Sequence, residues 1–248
     1  MRLLDLTLPT AEENLALEEA LLDEAESAGS AAETLRLWEP AEPMVVVGRS
    51  SCITDEVHVD VCRTRGIPVL RRTSGGAAIV AGPGCLMYAV VLSCRLRPTL
   101  RAVDHAHRFV LERIASALRP HVPDVRLRGI SDLAVGDSKF SGNSIRAKRD
   151  HLLYHGTLLY DFPVDLISAC LRMPCRQPDY RRGRPHAAFV ANLALSAAVI
   201  RSALIETWNA EEPLYEWPRE LVGRLVAMRY SRDEWNLGGG RITYRPEA

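Results

Sequence analysis

The chain has 248 residues and 47% hydrophobic content, ample for a sizeable core. Its 31 basic and 31 acidic side chains cancel, which excludes a global field of the kind that gathers nucleic acid. Runs such as "MVVVG" and "CLMYAVVLS" are too short to cross a bilayer, and "MRLLDLTLPTAEEN" turns acidic where a secretory signal needs apolar residues, so a cytoplasmic globular protein with no nucleic-acid or membrane partner is expected.

In chain order, "AEENLALEEALLDEAE" places Leu15, Leu17, Ala20 and Leu21 near one face with acids elsewhere, a first amphipathic helix. "TLRLWEP" and "MVVVG" read as strands, "VHVDVCRTRG" as a short helix ended by Gly66, and "IPVLRR" as another strand. The loop "TSGGAAIVAGPG" leads into a buried strand, "CLMYAVVLS". Val103, Ala106, Phe109, Val110, Ile114 and Leu118 then repeat at helical spacing in a long helix that stops before Pro120. "VRLRG", "SDLAV", "KFSGNSIRA" and "HLLYHGTLLYD" read as strands, the last two a hairpin through "KRD". Helices are expected at about 163 to 171, 195 to 208 and 218 to 229, the last with Pro218 in its first turn. Short turns between successive strands predict an α/β (α+β) domain with a central mixed, largely antiparallel sheet flanked by helices.

The six cysteines contain no Cys-x-x-Cys pair, so free, mostly buried thiols are expected. His105 and His107, two apart on a helix, do not face one another and make a poor metal site. Two segments carry more chemistry. In "RRTSGGAAIVAGPG", Arg71 and Arg72 offer forked donors while Ser74, Gly75 and Gly76 let backbone N–H groups approach an anion, a phosphate or carboxylate cradle. It is neither a Walker loop nor a G-x-G-x-x-G fingerprint, and alone it is better described as a glycine-rich turn with solvated arginines. The second is "GDSKFSGNS" with "YHGTLL". Only two of the 31 basic residues are lysines, and one of them, Lys139, stands here. In a chain that uses arginine for nearly every generic cation, the two lysines are candidates for positions where a compact point charge is required, the alternative being chance. Lys148, the other, reads as an ordinary solvated turn residue, while Gly142 and Gly156 would permit close packing around Lys139.

Together "NLALEEALL", "VVVGR", "RRTSGG" and "SDLAVGDSKFSGNSIRAKRDHLLYHGTLLYD" resemble, in order and spacing, the catalytic domain of the lipoate-protein ligase and octanoyltransferase family, itself similar to biotin-protein ligases. The resemblance covers about residues 5 to 195, with "RYSRDEWNLGG" as a weaker match near the end. It implies a central mixed sheet flanked by helices, here as a single catalytic domain over residues 1–248 with a helical part at about 195–248 and no large accessory domain.

For the ligase branch the resemblance implies ATP and Mg²⁺ as cofactors, lipoate or octanoate as substrate, and lipoyl-domain proteins of the 2-oxoacid dehydrogenase E2 and glycine-cleavage H types as acceptors. The acid's carboxylate attacks the α-phosphate of ATP, and an acceptor lysine then attacks the acyl-adenylate. The family's lysine motif matches Lys139, Phe140, Ser141 and Gly142, so Lys139 is the candidate catalytic residue, an ammonium set between two anions that must meet. Arg72 resembles the ATP-contacting arginine, and Ala77, Ala78, Ile79 and Val80 occupy the nucleotide-binding stretch. Arg71, Ser74, Gly75 and Gly76, with Ser141 and Gly142, would surround the substrate carboxylate. Asp132 matches an adenylate or metal contact, and His155 and Gly156 the strand that shapes the acyl tunnel, for which Val45, Val47, Met87 and Tyr88 are lining candidates. No acidic cluster has diagnostic spacing, so the Mg²⁺ ligands stay unassigned.

The sequence departs from the pattern where Ala77 replaces a glycine and "AGPGC" at Ala81 to Cys85 replaces a stretch with His and Asp. It also ends about a dozen residues after "EWN", where two-domain ligases continue, so a separate accessory subunit is a further partner to expect. The alternative is acyl transfer from acyl carrier protein through a cysteine thiolate. Cys175 stands about twenty residues after His155, near where one transferase subclass carries its nucleophile. A second alternative is a non-catalytic binder of lipoyl domains. The basic segment at residues 176 to 186 would serve either as a docking surface for an acidic partner or as a solvated loop.

Overall fold

The computed structural model describes residues 1–29 and 31–238; the end of the expected helical part, 239–248, lies outside them. The chain begins with strand β1 (Arg2–Asp5), which the sequence reading did not mark, and enters helix α1 (Ala11–Ala28) through a capping box between Thr10 and Glu13. Gly29, at φ 58°, ends the helix in the left-handed region. Strand β2 (Thr34–Trp38) then pairs in parallel with β1, so α1 is the crossover of a β–α–β unit.

Strand β3 (Met44–Val47), helices α2 (Ile53–Glu56) and α3 (Val59–Thr64), and strands β4 (Val69–Arg71) and β5 (Ile79–Ala81) follow. β3 lies between β4, parallel to it, and β5, antiparallel, in a small three-stranded sheet. The stretch from Thr73 to Gly84 is thus not one loop: its alternating middle, Ile79–Ala81, adds to the edge of β3. Strand β6 (Cys85–Ser93), helix α4 (Val103–Leu118), and strands β7 (Val125–Arg128), β8 (Asp132–Val135), β9 (Ser138–Ala147) and β10 (His151–Leu159) come next. Helices α5 (Asp165–Cys170), α6 (His186–Phe189) and α7 (Ala197–Trp208), strand β11 (Glu212–Pro213), helix α8 (Arg219–Leu225), which runs on into a π-helical turn at Val226–Tyr230, and helix α9 (Asp233–Asn236) complete the described chain.

The large sheet has the order β11-β1-β2-β6-β10-β9-β8-β7, antiparallel except for β1 with its two neighbours. Its central strands β6 and β10 are buried along their whole length, and their period of two sorts side chains between two cores. Leu86, Tyr88, Val90 and Leu92 join α4 and α7 on one face. Cys85, Met87, Ala89 and Val91 join α1 and the small sheet on the other. That second face, at the junction with the small sheet, carries the cleft described below.

Three side chains read as surface groups are instead committed. Glu18 and Glu19 of α1 are buried, although the helix pattern placed its acids toward solvent. Lys148 is not a free turn residue: its Nζ lies 2.6 Å from Asp23 Oδ1 and ties the β9–β10 hairpin to α1.

Candidate active site

A cleft of about 1080 Å³ opens between the α1 face of the large sheet and the small sheet. Part of its wall is apolar, with Leu15, Val46, Met87, Leu159 and Ile167; part is polar, with Arg72, Gly75, Gly76, Asp132, Lys139 and His155. That composition suits a ligand with a hydrocarbon body and an anionic head. Ala77, Ala78, Ile79 and Val80, Ser141, Gly142, Gly156 and Cys175 also line it, so most of the candidate residues, spread over a hundred positions, meet in one place.

Lys139 lies at the start of β9, its Nζ 2.6 Å from Asp132 Oδ1 on the neighbouring strand. Asp132 Oδ2 accepts a hydrogen bond from the Tyr180 hydroxyl at 2.9 Å. The ladder steps from Leu133↔Ser141 to Ala134↔Lys139, leaving Phe140 as an extra residue, a bulge of the kind that re-aims side chains at active sites. Gly142 leaves room for the lysine stem: a Cβ there would stand 2.9 Å from Lys139 Nζ.

Arg72 is buried and holds the glycine loop from beneath. Its guanidinium donates to Gly75 O at 2.5 Å, Ala77 O at 3.0 Å and Val46 O at 3.1 Å, and Nε donates to Ser74 Oγ at 3.0 Å. Burial pulls its pKa down to about 10, with Glu56 and Glu18 working against the shift, so it stays cationic at neutral pH. A trans peptide sets C=O and N–H on opposite sides. With the carbonyls of Gly75 and Ala77 turned to Arg72, the N–H groups of Gly76 and Ala78 turn away from it. The Ala78 N–H already holds an anion, Glu56 Oε2 at 2.5 Å.

Behind the loop, Ser74 Oγ lies 2.5 Å from His155 Nε2, and His155 Nδ1 lies 2.5 Å from Glu18 Oε2. Glu18 Oε1 accepts from Trp38 Nε1 at 2.8 Å. Burial alone would raise the Glu18 carboxyl, but His155, Arg36 and Trp38 around it hold it below its ordinary value. Glu18 was not singled out from sequence; the signal available was its place inside "NLALEEALL".

Several expectations are displaced. Arg71 is 1% exposed and does not line the cleft: its guanidinium donates to the carbonyls of Gly48, Ser51 and Trp235, and its backbone exchanges bonds with Asn236 and the Trp235 indole. The "EWN" segment therefore clamps β4. Ser74 supports the cleft wall from behind it. Val46 and Met87 reach the cleft, whereas Val45, Val47 and Tyr88 do not, because alternation turns them away; Tyr88 bonds Asn143 Oδ1 at 2.5 Å from the α4 side. In the basic segment Arg181 is buried, stacked on Phe189 and donating to Arg184 O at 2.9 Å, so it fastens the loop to itself; Arg176 and Arg182 remain exposed. Cys175 is exposed on the cleft rim.

A lysine, a glycine loop and an apolar slot thus share one cleft on a face of the two-core mixed sheet. Residues 10–205 match the family model described as lipoyl protein ligase A/B catalytic domain, and the chain belongs to that family. It is 30% identical to the octanoyltransferase LipM of Kyrpidia tusciae over 95% of this chain and 97% of that one. The crystal structure of a lipoate-protein ligase A bound with ATP is 26% identical, with a TM-score of 0.78 over 96% of this chain and 98% of that one. A Thermoplasma acidophilum structure with bound lipoic acid is 25% identical, with a TM-score of 0.77 over 96% and 99%. The chain spans 52% of a 36%-identical Aeropyrum pernix relative, 62% of the Bacillus subtilis lipoate-protein ligase LplJ at 25% identity, and 80% of the Thermoplasma acidophilum lipoate-protein ligase A subunit 1 at 26% identity.

Proposed function

We propose that the protein is a lipoate-protein ligase, activating lipoate or octanoate with ATP and passing the acyl group to a lysine of a lipoyl-domain protein. The observation that carries this reading is the position of Lys139, in one cleft with both the Arg72-backed glycine loop and the apolar wall of Val46 and Met87. The acid's chain would occupy the apolar slot and its carboxylate would meet Lys139, released from Asp132 by the incoming anions. A carboxylate oxygen attacks the α-phosphorus, the bond to the bridging oxygen breaks and pyrophosphate leaves. The acceptor amine then attacks the acyl carbonyl, AMP departs and the amine loses a proton. Lys139 serves both steps as a fixed positive charge beside the developing negative one, with no reorganisation at the moment of reaction. The relatives named for ATP and lipoic acid support this reading.

Among the described residues no three His, Cys, Asp or Glu side chains gather as a metal site, and Asp132 already faces Lys139 and Tyr180 with its two oxygens. A magnesium ion would arrive on the nucleotide's phosphates, and no step here is routed through it.

Acceptors would be lipoyl domains of the 2-oxoacid dehydrogenase E2 or glycine-cleavage H type, and the likeness to a relative named as one subunit of a ligase supports a separate accessory subunit. A second reading, octanoyl transfer through Cys175, has its own support: this thiol is exposed on the cleft rim, and the LipM relative matches nearly end to end. Intact-mass measurement of an apo lipoyl domain, with ATP present or omitted, separates the two.

A further inference from the structure

The chain from Glu18 through His155 to Ser74 ends on Arg72, which aims the glycine loop, and its hydrogen-bond roles can be assigned by elimination. The Trp38 indole N–H can only donate, so Glu18 Oε1, 2.8 Å away, accepts from it. Ser74 Oγ accepts from Arg72 Nε at 3.0 Å, because a guanidinium cannot accept. Among the described residues the other partner of the Ser74 hydroxyl is His155 Nε2, at 2.5 Å; an Nε2–H donating to Ser74 would leave the buried hydroxyl proton unpaired, so that proton goes to Nε2 and Nε2 is the bare nitrogen. The proton of His155 therefore sits on Nδ1 and is given to Glu18 Oε2. Every group is satisfied with one set of directions, and the three residues are largely withdrawn from solvent: Glu18, Ser74 and His155 are 2%, 1% and 6% exposed.

We infer that Glu18 is a positioning residue for the reaction, which rests on the ligase reading for its consequence: it holds His155 as the Nδ1–H tautomer and so keeps the Ser74 lone pairs on Arg72. Arg72 in turn fixes the carbonyls of Gly75 and Ala77, and with them the outward direction of the Gly76 and Ala78 N–H groups, of which Ala78 donates to Glu56 Oε2. Only a carboxylate can serve here. Two donors, Trp38 and His155, converge on the Glu18 oxygens, and a glutamine has one oxygen and one NH₂ to offer. Facing an indole that only donates, glutamine must give its oxygen to Trp38 and its NH₂ to His155. That forces the imidazole proton onto Nε2, where it meets the Ser74 proton head-on and turns the hydroxyl away.

The test uses the full-length protein with ¹⁵N-histidine. Two-bond ¹H–¹⁵N correlation spectra should show wild-type His155 as the Nδ1–H tautomer and Glu18→Gln as the Nε2–H tautomer. In Glu18→Gln/Trp38→Phe the indole donor is gone, the amide is free to turn its oxygen to His155, and the Nδ1–H tautomer should return. Lipoyl-adenylate formation should follow the tautomer. Glu18→Gln should raise the KM for ATP about tenfold, the size of one lost buried hydrogen bond, with a smaller change in kcat, and the double variant should recover most of it even though it carries one more core substitution. A purely structural glutamate predicts the opposite order, with the double variant worse than the single one. Wild-type His155 in the Nε2–H form, or an unchanged KM in a Glu18→Gln protein whose tautomer has flipped, would overturn the inference. The tautomer readings stand whether or not the chain activates an acid. Failure of the ligase reading, seen as no lipoyl-adenylate from the wild type, is thus distinguishable from failure of this one.

Discussion

Lys139 Nζ is held 2.6 Å from Asp132 Oδ1 across a bulge in the β8–β9 ladder, so the one ammonium in the cleft is aimed by a carboxylate on the next strand. The lysine stem passes so close to Gly142 that even a methyl group there would stand 2.9 Å from Nζ and 3.1 Å from Cε. A wide planar guanidinium does not fit that groove, which is a physical reason for a lysine in a chain of arginines. Lys139→Ala should therefore lower adenylate formation by about 10²–10³, the usual cost of one preorganised donor, and Lys139→Arg should be nearly as damaging. Full activity in Lys139→Arg, by pyrophosphate release, would show that charge alone suffices.

The two glycines near this lysine should fail in different ways. An added methyl at Gly156 would fall 1.8 Å from Asn143 Oδ1, and Asn143 is pinned by Tyr88 and Ser131. Gly156→Ala should cost about 1–3 kcal/mol of stability in urea melts, as overpacking does. At Gly142 the obstacle is the mobile end of Lys139, so Gly142→Ala should unfold near the wild-type midpoint yet lose activity as the ammonium is pushed off its mark. Equal stability losses in both variants would contradict this contrast.

Met87 stands on the cleft face of β6 with Val46 across from it. Met87→Trp should shorten the apolar slot, raising the KM for lipoate and octanoate while sparing a four-carbon acid. One missing or extra methylene in such a slot is worth about 1–3 kcal/mol, so the preference should move by tenfold or more. An unchanged ranking of acids would place the acyl chain elsewhere.

His107 is buried against the Tyr154 hydroxyl, 2.8 Å from Nδ1, and burial lowers its pKa from the ordinary 6.5 while Asp104 opposes the shift. His186 is lowered in the same way. A base whose folded pKa lies below its unfolded one binds its proton more readily when unfolded. Stability is thus full above the unfolded value and falls as the pH drops through 6.5 toward the lower folded value. The melting temperature should be lower at about pH 5.5 than at about pH 7.5, and His107→Gln should flatten part of that slope. A slope untouched by His107→Gln would assign the acid sensitivity to other groups.

Much of this was legible in the sequence, for reasons specific to each element. The apolar run "CLMYAVVLS", the strand "HLLYHGTLL" after the turn "KRD" and helical spacing from Val103 to Leu118 are local signals, and the corresponding elements formed where they were expected. Lys139 stood out through the scarcity of lysine. What was not legible depends on partners far along the chain. Glu18 looks like any acid of an amphipathic helix until His155, 137 positions later, is brought to it. Arg71 and Arg72 are adjacent and alike, but Arg71 ends strand β4 turned to Gly48, Ser51 and Trp235 while Arg72, one residue past it, turns to the glycine loop, and only Arg72 reaches the cleft. Strand alternation made Val46 the lining residue rather than Val45 or Val47. The edge strand Ile79–Ala81 was hidden by the glycines and alanines around it, whose composition reads as loop.

The most direct test of the central claim is the mass of an apo lipoyl domain after incubation with this protein and lipoate, with ATP and magnesium present or omitted, octanoyl-acyl carrier protein as a competing donor, and Cys175→Ser in parallel. Lipoylation that requires ATP and is unchanged in Cys175→Ser is the expected result. Octanoylation without ATP, lost in Cys175→Ser, would contradict it and make the protein a cysteine-dependent acyltransferase.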